Sequence, residues 1–147
     1  MTYLKEVFNN DVFNVSLTSW FIAQTLKVII TLLTQKKLNL YRFVGSGGMP
    51  SSHSSMVMGL STAVGLKTGW SSIQYGLSLV FALIVMYDAS GVRRAVGKQA
   101  IILNKILEDK QKHKHIGEGR LKELVGHTPV EVFAGALLGI LIANIMI

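Results

Sequence analysis

The chain has 147 residues, half of them hydrophobic and only 16% charged, with a mean hydropathy of +0.43 and a net charge of +7. A charged content this far below the roughly 25% of soluble domains excludes an ordinary soluble globule, the apolar half excludes a disordered chain, and the length sets a single domain. With no Cys there is no disulfide framework, thiolate metal site or cysteine nucleophile.

The composition points to a polytopic, all-α membrane bundle of about four spans, each needing about 20 mostly apolar residues. Residues 1–14 mix Tyr3, Leu4, Val7, Phe8, Val12 and Phe13 with polar side chains and are expected as an interfacial helix. They lack the basic start and apolar core of a cleavable signal peptide. Val15 to Thr34 forms the first predicted span, interrupted only by Gln24 and Lys27. Ser54 to Trp70 is shorter and rich in Gly, Ser and Ala, as in an inner helix whose neighbours approach closely. Ser71 to Met86 follows after a connection so short that the two must form an antiparallel hairpin. Lys98 to Leu124 is the one strongly polar stretch, expected as a helix leaving the membrane and then a solvated loop containing KQKHKH (110–115). Val130 to Ile147 is the last span.

Chemistry-bearing residues cluster at the span ends. In GSGGMPSSHSS (45–55), Pro50 is expected in the first turn of a helix, placing Ser51 and Ser52 at an N-terminus that favours anions. Gly47 and Gly48 allow the close backbone approach a phosphate needs, and His53 can exchange a proton near neutral pH. In GHTPVE (126–131), Pro129 marks another first turn, and i to i+4 spacing is expected to set His127 and Glu131 on one helix face. A carboxylate beside an imidazole fixes its tautomer and strengthens its free nitrogen as nucleophile or base. Asp88, Ser90 and Gly91 precede Arg93 and Arg94, whose guanidinium forks match phosphate oxygens. Lys27 lies roughly 10 Å inside the first span, where a cation is either snorkelling or functional. Taken one at a time, these features also read as capped helices and topological anchors. Together they describe an oxyanion or phosphate site with two histidines.

Alternating four spans places twelve of the fifteen basic residues, from Lys36 to Lys122, on one face. Only Lys5 and Lys67 fall on the other, and Lys27 lies within a span. Such a bias predicts that the basic face, and the site with it, is cytoplasmic, and it needs no nucleic-acid partner to explain it.

GGMPSSHSS, YDASGVRRAVGKQA and LKELVGHTPVEVFAGALLG together resemble the divergent bacterial branch of the type 2 phosphatidic acid phosphatase family, related to acid phosphatases and vanadium-dependent haloperoxidases. The resemblance runs from about Ala23 to Leu138. It implies hydrolysis of a phosphate monoester of a lipid or small molecule, in the bacterial cytoplasmic membrane, with no metal and no cofactor. Pro50-Ser51-Ser52-His53 is similar to the family's Pro-Ser-Gly-His, which implies His53 as general acid and Ser51 as a phosphate ligand. His127-x3-Glu131 is similar to His-x3-Asp, which implies His127 as the nucleophile and Glu131 as its orienting partner. The chain departs from Lys-x6-Arg-Pro, for which Lys27 is the preferred substitute over Lys36, Lys37 and Arg42. No arginine stands six residues before His127, so Arg93 and Arg94 are the expected replacements, with Ser52 and Gly48 as further phosphate-binding residues and Asp88 in support. The competing reading is a catalytically silent membrane protein that holds phosphate or anionic lipid with the same cations. Short spans exposing much Gly and Ala leave room for a homo-oligomer or a place in a larger transporter-like assembly.

Overall fold

The computed structural model describes residues 2–36, 48–111 and 126–147. They form six helices: α1 (Thr2–Phe8), α2 (Asp11–Gln35), α3 (Ser52–Thr68), α4 (Ile73–Ser90), α5 (Val92–Gln111) and α6 (Pro129–Met146). Among the described residues there is no strand. By length and composition three stretches can cross a membrane: Asp11–Thr34, Ile73–Leu107 and Pro129–Met146. The protein is an integral membrane protein built as an α-helical bundle.

The first boundary differs from the sequence expectation. Instead of one interfacial helix reaching Asn14, the chain breaks after Phe8, and Asn10 caps α2 by accepting a hydrogen bond from the Phe13 amide at 3.1 Å. A side-chain oxygen meeting a free helical N–H is worth about 1 kcal/mol, enough to start the span at Asp11 rather than Val15. Asn14 Nδ2 donates to the Phe8 carbonyl at 2.7 Å, and the Phe8 and Phe13 rings meet edge to face, holding α1 against α2.

α3 occupies the centre, packed on α6, α2 and α4. Its buried residues are mostly Ser, Gly, Ala and Thr, which let three neighbours approach at once. Gly135 of α6 lies against the Ser51 carbonyl and Gly139 against that of Ser55, so the contact advances by four residues on both helices and α3 and α6 are parallel. Contacts to α2 run the other way, with Ser16 Oγ donating to Met56 O and Ser55 Oγ to Ser19 O. α4 returns beside α3 in the expected hairpin: Ser72 caps it, Ser78 Oγ reaches Ser61 Oγ, and Trp70 folds over Gly65 against Tyr75.

These directions sort the helix ends into two groups. The start of α2 and the end of α3 share one end, joined by the exposed Asp11–Lys67 ion pair. The starts of α3 and α6, the end of α4 and the second half of α2 share the other. The outward faces, such as Leu77, Val80, Phe81 and Ile84 on α4 and Phe133, Leu137 and Leu141 on α6, are exposed and apolar, as lipid contact requires.

α4 runs past the expected end at Met86 to Ser90, so Asp88 is helical, and α5 begins at Val92 rather than near Lys98. One face of α5 buries Gly97, Ala100 and Asn104, while Ile101, Ile102, Leu103 and Ile106 are exposed beside Lys98 and Lys105. The KQKHKH stretch from Lys112 onward, and Gly47, Lys37 and Arg42, lie outside the described residues.

Candidate functional site

The two histidines meet where the parallel helices α3 and α6 begin. His53 is in the first turn of α3, and its ring centroid stands 6.4 Å from that of His127, the planes inclined by 60°. His127 is held from three directions. Its amide donates to the Ala89 carbonyl near the end of α4 at 3.0 Å, its side chain is only 3% exposed, and its Nδ1 lies 3.2 Å from Glu131 Oε2.

The Glu131 contact arises differently from the expected pairing on one helix face. α6 starts at Pro129, so His127 precedes the helix and Thr128 is the N-cap. Glu131 folds back in a capping box, its Oε2 accepting from the Thr128 amide at 2.9 Å while Thr128 Oγ1 accepts from the Glu131 amide. The same carboxylate oxygen faces His127 Nδ1. One local motif therefore starts the helix and orients the imidazole, leaving Nε2 as the ring nitrogen directed elsewhere.

At the start of α3 the expected position of Pro50 is corrected. Ser51, not a residue before Pro50, is the N-cap, so Pro50 lies outside the helix, next to a cis Met49–Pro50 bond. Ser51 Oγ accepts from the Ser54 amide and from Ser54 Oγ, and its own amide donates to the Glu131 carbonyl at 3.0 Å. A hydroxyl that accepts twice still has one proton to donate. Ser51 and Ser52 are buried, and Gly48, with φ at +90°, turns the chain into the cap in a conformation that side chains rarely adopt.

Lys27 is buried, 1% exposed, and Nζ donates to Gln24 Oε1 at 2.8 Å. Asp88, with Leu83, Ile84 and Tyr87, lines an open groove of about 480 Å³ on α4, one residue from the carbonyl that holds His127. Arg93 and Arg94 lie in the first turn of α5, four and five residues beyond Ala89, and their side chains are outside the described residues. Among the described residues no group of three His, Asp or Glu side chains is arranged to hold a metal ion.

Electrostatically, the N-termini of α3 and α6 point to one end of the bundle, each equivalent to about half a positive charge. Lys27 Nζ adds a buried hydrogen-bond donor on the α2 face that packs on α3. Such an arrangement suits an anion.

A profile of the Divergent PAP2 family matches residues 8–142. The chain belongs to that family. The match is longer than the three motifs alone span, taking in the start of α2 and nearly all of α6. A Bacillus subtilis (strain 168) protein named "Uncharacterized membrane protein YuiD" is 41% identical over 147 residues, covering 89% of this chain and 90% of that one. No solved structure matches. Membership in the Divergent PAP2 family makes this a membrane protein of PAP2 type. Three participants were absent from the sequence expectation: Gln24, Ser54 and the Ala89 carbonyl. The i, i+3 spacings of Gln24–Lys27 and Ser51–Ser54 were visible signals, whereas a backbone carbonyl leaves none.

Proposed function

We propose that the protein hydrolyses a phosphate monoester, of a lipid, through a phosphohistidine intermediate at the His53–His127 site. The observation that carries this reading is the pair of imidazoles 6.4 Å apart, one of them held at Nδ1 by a carboxylate, between two converging helix N-termini. His127 Nε2 attacks phosphorus in line, and the bond from phosphorus to the ester oxygen breaks. His53, protonated, gives its proton to the leaving alkoxide. Water then attacks the phosphohistidine as His53 takes a proton from it, releasing inorganic phosphate and restoring His127. Glu131 stabilises the charge that His127 gains. The Ser51 hydroxyl, the α3 and α6 amides, Lys27, and Arg93 and Arg94 bind the phosphoryl oxygens. The groove at Leu83, Ile84 and Tyr87 favours a lipid, because it offers apolar wall to an acyl chain on the membrane-facing helix next to the site.

The bias of basic residues in the sequence, twelve on one predicted face against two on the other, supports a site that opens to the cytoplasm, with the bundle in the bacterial cytoplasmic membrane. The deciding experiment is hydrolysis of a phosphatidate or a small phosphoester by purified protein, with His127→Ala as control. Vanadate, which mimics the trigonal-bipyramidal transition state, should inhibit, and EDTA should not. Activity lost in EDTA and restored by a divalent metal would overturn the mechanism. Vanadate binding without hydrolysis of any ester would establish a silent anion-binding protein instead.

A further inference from the structure

We infer that Gln24 is a positioning residue that sets the place of the Lys27 side-chain nitrogen at the phosphate site; the inference rests on the reading of that site proposed above. Lys27 lies on the α2 face that meets α3: it follows Ser16 by eleven residues, three full turns, and Ser16 donates to the α3 backbone. The antiparallel register then fixes heights. Ser19 lies level with Ser55 through the Ser55 Oγ–Ser19 O hydrogen bond. Ser51, four residues before Ser55, is about 6 Å further toward the site end, and Gln24, five residues after Ser19, is about 7.5 Å. The Lys27 backbone, at about 12 Å, overshoots the α3 cap by roughly one helical turn.

Side chains on a helix lean toward its N-terminus, which on α2 is back toward Ser19. The 2.8 Å bond from Nζ to Gln24 Oε1 fixes that lean, so the nitrogen is drawn to the height of Ser51 and Ser52. Both side chains are buried, Gln24 at 4% and Lys27 at 1% exposure, where a bond of this kind is strong and its geometry restrictive. An amide oxygen holds the nitrogen by a hydrogen bond and brings no charge of its own. A carboxylate in the same place would hold it as well and would compete with any phosphate.

The test is vanadate binding by the full chain in nanodiscs, measured calorimetrically alongside thermal unfolding. Gln24→Glu, nearly isosteric, should weaken vanadate about 10-fold or more, approaching the effect of Lys27→Met. Gln24→Met, which adds no charge but removes the acceptor, should weaken it by a smaller factor, about 3- to 10-fold. A merely structural role would lower the melting temperature of both variants and leave vanadate affinity unchanged, and that result overturns the inference. If Gln24→Glu does not fold, Gln24→Met carries the test. Wild-type protein that binds no vanadate would instead refute the phosphate-site reading itself, and the Gln24 role with it.

Discussion

Replacing Gly135 by alanine tests whether the closeness of α3 and α6 sets the geometry of the two histidines. A Cβ built there stands 2.2 Å from the Ser51 carbonyl oxygen and 3.1 Å from both Ser51 C and Ser51 N. All three are backbone atoms of a cap, so no side chain can swing aside. Real Cβ atoms essentially never approach closer than 3.0 Å, so the helices must part by at least 0.8 Å, the difference between the two distances. Overpacking of this kind costs about 1–3 kcal/mol, and straining the Ser51 N–Glu131 O bond adds about 1. Alanine returns about 1 kcal/mol of helix propensity, leaving a net loss of about 1–3 kcal/mol. The functional effect is larger, because a misplacement near 1 Å between catalytic groups costs about 10²-fold in rate. Gly76→Ala is the control: a Cβ at this exposed α4 position meets nothing within 4 Å, so it should be neutral or stabilising by up to about 1 kcal/mol. Thermal unfolding in detergent, followed by fluorescence of Trp20 and Trp70, gives the stability term, and phosphoester turnover gives the other. Gly135→Ala protein with wild-type melting and turnover would refute the argument.

Glu131→Gln separates the two duties of that side chain. Gln also serves a capping box, so unfolding should shift by less than about 1 kcal/mol, whereas phosphoester turnover should fall about 10²- to 10⁴-fold as the imidazole loses its anionic partner. Equal turnover in the variant would remove Glu131 from the mechanism. Sidedness is read with a single cysteine at Lys112 in this naturally Cys-free chain. A membrane-impermeant maleimide should label it only after lysis, and labelling in intact cells would place the site on the outer side.

Where the sequence carried a complete local code, it could be read to the residue. Thr128, Pro129 and Glu131 spell an N-cap, a first-turn proline and a capping box, and α6 starts where they say. At Pro50 the same proline rule failed, because Ser51 and Ser52 can both cap, and the choice fell to Ser51 through its contacts with Ser54 and with the Glu131 carbonyl on another helix. The start of α2 was legible in Asn10 and Asp11 but was hidden by an apolarity count, which sees side chains entering lipid and not hydrogen bonds closing a turn. The pairing of His127 with Glu131 was visible as a spacing, although its cause is a fold-back at a helix start and not a shared helical face. The anchoring of His127 by the Ala89 carbonyl was beyond reach, since it depends on how α4 and α6 meet and involves no side chain of α4.

The central place of α3 has a consequence for biosynthesis. A 17-residue helix with four serines, two threonines and two glycines, bearing His53 and Lys67, gains little from lipid and does not reach the length and apolarity of its three neighbours. It stays in the bilayer because those neighbours surround it, and its most extensive partner is α6, the last made of the six described helices. Until α6 arrives, one flank of α3, with the hydroxyls of Ser51 and Ser55 nearby, has no protein against it. Enclosure of this polar helix is therefore complete only once α6 is made, and the segment that completes it is the one that delivers His127.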